Sequence, residues 1–249
     1  MTEPALQTPG FPRIDSVGLD GLLVRFGETL MEPANRAALA FKAEVERECP
    51  EGVEECSTSL VSCFVRFDPL AVNPTDLTAR LARLVSARDW YDAALPEGRR
   101  FLSIPTVYGT ELAPQLDEAA QAAGMSAAEA IQSLSSARVR VTAIGFAPGQ
   151  PYLGTLPEAW DIPRQTALTP QVPVGALVVA IRQLVLFSVT TPTGWRHVGQ
   201  TAVRLFQPES DRPFLLRPGD EVQFPSVTRE RFETLRGDPL GGLTQEALP

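Results

Sequence analysis

From Gly145 onward this chain is punctuated by proline and glycine, and that punctuation constrains its fold more than any other feature. Turns at Pro148-Gly149, Pro192-Thr193-Gly194 and Pro218-Gly219-Asp220 separate short apolar runs at 176–181, 184–189, 203–206 and 221–224. Several short strands at near-regular spacing predict a closed barrel or sandwich. The first half has a different texture. Residues 21–27 read as a strand ending at glycine, and 33–48 carries Ala34, Ala37, Ala38, Phe41 and Val45 at helical spacing. Pro33 suits the first turn of that helix and Pro50 closes it. Residues 60–67 form a β-rich run broken at Asp68-Pro69, and Asn73-Pro74 opens a second helix with Leu77, Leu81, Leu84 and Val85 on one face. The order strand–helix–strand–helix predicts helices covering one face of a sheet.

A polar linker, Pro96-Glu97-Gly98-Arg99-Arg100, marks a boundary. Beyond it the pattern predicts a strand over 101–108 and a helix over 116–123 capped by Gly124. A helix opened by a Ser126/Glu129 capping box and a strand over 138–144 follow. The expected organisation is α+β: an N-terminal α/β domain over 1–96, a β-barrel domain over 97–235 and a tail over 236–249, with the last twenty residues forming a short helix and tail. The first dozen residues are rich in proline and glycine and read as ragged.

Composition removes whole classes of chemistry. The chain of 249 residues carries 22 basic and 30 acidic side chains, a net charge of -8 and a pI near 4.8, which argues against nucleic-acid or anionic-membrane partners. Lys42 is the single lysine and His197 the single histidine, so multi-histidine metal sites are excluded by count. Cys49, Cys56 and Cys63, spaced by seven, match no zinc pattern and read as free thiols. The N-terminus lacks a basic start followed by an apolar core, and no apolar run reaches the roughly 18 residues of a membrane span. A cytoplasmic protein is expected. The sequence contains no GxSxG, Walker loop, HExxH, CxxC or GxGxxG.

The unusual stretch is Gly145-Phe146-Ala147-Pro148-Gly149-Gln150-Pro151-Tyr152-Leu153-Gly154. Such a loop could present main-chain N–H groups to a carboxylate or carbonyl oxygen. Alternatively it is a rigid connection with Phe146, Tyr152 and Leu153 packed inside.

This stretch resembles the GFxPGFPYLG signature of the allophanate hydrolase subunit 1 family, also described as carboxyltransferase subdomains C and D. The resemblance runs through nearly the whole chain. Residues 22–27 resemble ALLVEFG, 59–69 resemble SLxVxYDP, and Ile104-Pro105-Thr106-Val107-Tyr108-Gly109 resembles IPVCYGG. Val172-Pro173-Val174-Gly175 resembles VPAG. Thr191-Pro192-Thr193-Gly194-Trp195 with Val198-Gly199-Gln200-Thr201 resembles SPGGW…IGRT. Residues 204–206 and 215–220 resemble RLFDP…LLRPGD. The family pattern implies a cyclophilin-like fold for the barrel.

Departures from the pattern are equally specific. Leu134 stands where a histidine is usual, Gln115 where an acid is, and Gln150 where a phenylalanine is. Thr169 and Gln171 replace arginines, whereas Arg164 is retained. The GGQTGIYP strand becomes Ile181-Arg182-Gln183-Leu184-Val185-Leu186-Phe187-Ser188, which keeps Gln183 and places side chains at three glycine positions. The expected substrate-binding residues are Gly149, Gln150, Tyr152, Arg164 and Gln183, with Arg182 as a further cleft charge and His197 as a packing or surface residue.

The resemblance implies a non-autonomous subunit of an ATP-dependent amide- or lactam-hydrolysing complex, similar to the B component of 5-oxoprolinase. Its partners would be an allophanate hydrolase subunit 2-type protein, similar to the C component of 5-oxoprolinase, and a LamB/YcsF-type subunit. ATP would be bound through the complex, because this chain has no P-loop. The alternatives are a catalytically inactive module such as a KipI-like histidine kinase inhibitor, or a carboxyltransferase component of a urea carboxylase-type enzyme.

Overall fold

The computed structural model describes residues 10–48 and 51–248. Cys49, Pro50 and most of the proline-rich start therefore lie outside the described residues. The chain divides between Glu97 and Gly98 into two compact units.

The first unit contains β1 (Arg13–Val17), β2 (Gly21–Arg25), α1 (Glu32–Glu48), β3 (Val53–Ser59), β4 (Ser62–Phe67) and α2 (Pro74–Ser86). Its strands pair antiparallel in the order β1-β2-β4-β3. Leu22 lies opposite Val65 and Val24 opposite Cys63, so alternate residues of β2 and β4 share one buried face. The small Ala34, Ala37 and Ala38 of α1 join that core with Phe41 and Val45, and the Trp90 ring meets Phe41 edge-on at 5.0 Å. At the start of α2, the Asn73 side chain accepts from the Thr75 N–H at 2.8 Å and Pro74 occupies the first turn. The polar strand β3, Val-Glu-Glu-Cys-Ser-Thr-Ser, carries no apolar alternation and is defined by its ladder to β4. Cys63 is a free thiol, buried with its pKa pushed far up by desolvation.

The second unit opens with β5 (Arg100–Ser103), β6 (Thr106–Tyr108), α3 (Leu116–Ala122), α4 (Ala127–Ser136), β7 (Val139–Ile144) and β8 (Pro151–Gly154). It continues with β9 (Thr169–Val172), β10 (Ala176–Ala180), β11 (Gln183–Leu186), β12 (Thr191–Thr193) and β13 (Arg196–Thr201). It ends with β14 (Glu221–Gln223), α5 (Arg229–Leu235) and β15 (Thr244–Ala247). Antiparallel pairing runs β7-β8-β11-β10-β13-β6, while β9 and β12 form a separate ribbon. Strand β14 pairs antiparallel with β7 and parallel with β5. The molecule is α+β. The closed barrel expected from the sequence is not formed by the strand ladders of the described residues; Thr106 of β6 makes only an isolated parallel bridge to Ser226.

Strand β10 explains its unbroken apolar sequence. Leu177 and Val179 enter the main core with Leu153, Leu184, Leu186 and Val198, whereas Ala176, Val178 and Ala180 face a second cluster with Val185, Phe187 and Trp195. A strand buried on both faces carries no polar alternation.

Three expectations are corrected. The strand expected over 101–108 is two, because Pro105 has no N–H for the ladder. Residues 203–206 form no strand; only Phe206 bridges, to Phe214. The supposed tail contains β15, which pairs antiparallel with β5.

Candidate functional site

The loop between β7 and β8 is held by its own backbone. Gly145 N donates to Gln150 O at 3.0 Å and Gln150 N donates to Ala147 O at 3.1 Å. Those two N–H groups are therefore spent inside the loop rather than presented to a ligand. Gly149 has φ +70°, and a Cβ there would stand 3.0 Å from the Leu205 carbonyl oxygen, so glycine is required twice over. The turn sets three side chains differently. Leu153 is buried in the core, Tyr152 is half-buried, and Phe146 is 74% exposed rather than packed inside.

Gln150, Tyr152 and Arg164 meet in a groove of about 170 Å³ whose walls include Val185, Phe187 and Trp195. The Tyr152 ring stands 6.4 Å from Trp195, edge to face, and the Arg164 guanidinium lies over the same indole at 5.2 Å. Gln150 is only 1% exposed, and its Oε1 has no hydrogen-bond partner. An orphaned buried acceptor costs roughly 1–3 kcal/mol, so a donor arriving in the groove would recover that cost. Gly149 does not line the groove; its place is in the turn that precedes Gln150.

Gln183 is not part of it. It opens β11 opposite Ala180 and Gly154, on the same strand face as Val185, but does not itself line the groove. Arg182 is not a cleft charge either, because its Nε donates to Leu156 O at 2.9 Å. Ile181 and Arg182 are the two turn residues of the β10–β11 hairpin, at φ 44° and 59°. The glycines of the family pattern at these positions thus suit a left-handed turn, and only the third departure, Val185, puts a side chain into the groove.

The other departures also separate. Leu134 is fully buried in the core of the second unit and lines neither this groove nor the cavity described below. Gln115 and Thr169, which replace an acid and an arginine, touch each other. Thr169 Oγ1 donates to Gln115 Oε1 at 3.4 Å, and Gln115 Nε2 donates to Gln165 Oε1 at 2.7 Å. Gln165 Nε2 donates in turn to Trp195 O at 2.9 Å, and His197 N donates to Gln115 Oε1 at 2.9 Å. A neutral amide–hydroxyl cluster thus stands where charges of opposite sign would be paired.

A second, larger cavity of about 470 Å³ lies outside the residues that the sequence motifs single out as a site. His197, Gln200, Thr201, Gln171, Val174 and Arg204 line it, with Phe232. Two motifs build its floor. Gln200 Nε2 donates to Val174 O at 2.8 Å and to Thr201 O at 3.0 Å, and Thr201 Oγ1 donates to Gly175 O at 3.1 Å. Gly175 has φ +79°, and a Cβ there would stand 2.5 Å from Thr201 O. His197 is 4% exposed, and burial holds its pKa below the ordinary 6.5. The one signal in the sequence is a lone histidine beside a Gly-Gln-Thr motif. Among the described residues, no group of three or more His, Cys, Asp or Glu side chains could hold a metal ion, and no helix is long and apolar enough to cross a membrane.

Residues 12–216 match the family described as carboxyltransferase domain, subdomain C and D. The chain belongs to that family. Among similar proteins, the B component of 5-oxoprolinase from Bacillus subtilis (strain 168) is 30% identical over 238 residues, covering 90% of this chain and 96% of that one. The crystal structure of TTHA0988 superposes with a TM-score of 0.71 at 31% identity, over 84% of this chain and 40% of that longer one. The Kluyveromyces lactis urea carboxylase matches with a TM-score of 0.72 over 94% of this chain and 24% of that one; at 18% identity it shows the shared fold alone.

Proposed function

We propose that this carboxyltransferase-domain chain is a non-autonomous subunit of an ATP-dependent complex that hydrolyses an amide or lactam, of the 5-oxoprolinase type, with a cyclophilin-like barrel as its scaffold. The observation that carries the reading is similarity over nearly the full length of a relative named as the B component of 5-oxoprolinase. The groove supports it: Gln150, Tyr152 and Arg164 would be this chain's half of a site completed by a subunit 2-type partner. There, Gln150 Oε1 would accept from an amide N–H, and Arg164 would pair with a carboxylate.

The residues present do not fit ATP. Lys42 donates to Glu46 on α1 at 2.6 Å, and the groove offers one cation and no metal-holding acids. Nucleotide binding and a LamB/YcsF-type contribution are therefore assigned to the partners, in the cytoplasm.

The test is reconstitution with subunit 2-type and LamB/YcsF-type proteins, following 5-oxoproline-dependent ATP hydrolysis. The chain alone is expected to be inactive and the verified assembly active; a verified assembly without turnover overturns the reading. The neutral Gln115–Gln165–Thr169 cluster favours a second reading, a regulatory module that kept the scaffold and lost the chemistry. Recovery of a histidine kinase as the sole stoichiometric partner would support that one.

A further inference from the structure

The open edge of the first sheet carries an assignment of its own. We infer that β1 pairs antiparallel with β1 of a second copy of this chain, about a two-fold axis at Ile14, so that two first units share one continuous sheet.

Among the described residues β1 pairs with β2 alone, which leaves its other side open. The ladder fixes which groups lie there. Phe67 N donates to Asp20 O and Phe26 N donates to Val61 O, so alternation turns the main-chain groups of Leu22 and Val24 towards β4 as well. Those of Gly21, Leu23 and Arg25 then turn towards β1, where they meet Val17, Asp15 and Arg13. Ile14 and Ser16 are left with an N–H and a C=O each, directed away from the sheet. Pro12 has no N–H and ends the open edge on one side.

Charge selects both the occupant and the register. Arg13 and Asp15 lie two residues apart on one face of β1 and touch at 3.0 Å, with side chains 50% and 37% exposed. In an antiparallel pair centred on Ile14, Arg13 of one copy stands opposite Asp15 of the other, twice by symmetry. The two Ile14 residues there exchange two main-chain hydrogen bonds. Moving the axis by one residue sets Arg13 against its own copy, or Asp15 against its own. Charges on an edge ordinarily repel a second strand. Here their order along the strand attracts an identical one.

The neighbouring strand strengthens the case. Arg25 stands opposite Arg13 and makes no ion pair among the described residues, and both guanidinium groups lie 5.7 Å from the centre of the Phe11 ring. Two cations thus share the carboxylate of Asp15, and the second copy brings another. On the opposite face Ile14, Val24 and Cys63 form one row, fully buried at Val24 and Cys63 and half-buried at Ile14. A second Ile14 extends that row by an apolar side chain. The contact is isologous, so it uses up both edges and closes as a dimer instead of growing into a fibre. It involves residues of the first unit alone, none of which lines the groove, and does not rest on the function proposed above.

Sedimentation velocity of the full chain tests the pairing. The parent is expected to pass from monomer to dimer as its concentration rises. Arg13→Asp and Asp15→Arg each set like charges across the axis and are expected to weaken the dimer at least about tenfold. Neither side chain belongs to the core, so both variants are expected to fold, with circular dichroism as the check. Mixing the two variants in equal amounts is expected to restore dimers, since each supplies the sign that the other lacks. The double variant, which exchanges the two charges, is expected to dimerise like the parent. A parent that stays monomeric at every concentration overturns the assignment. A dimer indifferent to both single substitutions does so too, as does a mixture of folded variants that remains monomeric.

Discussion

His197 shows how much one buried side chain can reveal. Its main chain is tied to Gln115 in both directions, His197 N to Gln115 Oε1 and Gln115 N to His197 O, and its ring meets the Gly199 main chain and the Gln200 side chain. Burial favours the neutral ring, so the folded pKa lies below the ordinary 6.5 of the unfolded chain. As pH falls below about 6.5, the unfolded state takes up a proton that the native state refuses, and folding loses up to about 1.4 kcal/mol per pH unit. The loss stops growing once the native imidazole also protonates. His197→Gln is therefore expected to lose less stability than the parent between pH 7.5 and pH 5.5, as read by urea denaturation. Equal losses in both proteins would mean that the ring is as well solvated in the native state as in the unfolded one.

At the scale of elements, local chemistry accounts for the helices and turn geometry for the hairpins. Helix α4 begins where Ser126 and Glu129 cap each other reciprocally, an arrangement written in neighbouring residues. The β10–β11 hairpin breaks its local rule. Ile181, β-branched and 46% exposed, sits at φ 44°, a region that disfavours such side chains. Ile181→Asn is expected to raise stability by about 0.5–1 kcal/mol, since asparagine tolerates the left-handed turn and little packing is lost. Guanidinium denaturation midpoints decide it; a lowered midpoint would show that the Ile181 side chain contributes more than its backbone costs. The hairpin also shows why a motif comparison places Arg182 in a cleft that it does not reach. Its side chain leads to the Leu156 carbonyl, a contact 26 residues away that no local pattern announces.

At the scale of the molecule, each unit has its own core: Phe26, Phe41, Val65 and Trp90 in the first, Leu134, Leu153, Leu177 and Val198 in the second. Phe41→Ala removes a fully buried ring that Phe26 and Trp90 both touch, a loss of about 3–5 kcal/mol. Native-state hydrogen exchange is expected to show β2 and β4 amides losing protection while those of β10 and β13 keep theirs. A uniform drop across both sets would mean that the two cores unfold as one.

Much of the architecture was legible in order along the chain. Caps at Asn73 and Ser126, the apolar runs around Val24 and Val65, and the glycine at 149 all depend on a residue and its near neighbours. Three of the five expected site residues, Gln150, Tyr152 and Arg164, also converge, because the loop and its flanking strands bring them together. Tertiary structure alone decided the rest. Strand β13, Arg-His-Val-Gly-Gln-Thr, has a polar sequence but is buried at every position because β10 and β6 flank it. The Gln200 side chain is held by Val174, 26 residues earlier, whose carbonyl accepts from its Nε2. Sequence determines which groups can donate, accept or turn; whether a given group finds its partner depends on which distant backbone folds against it.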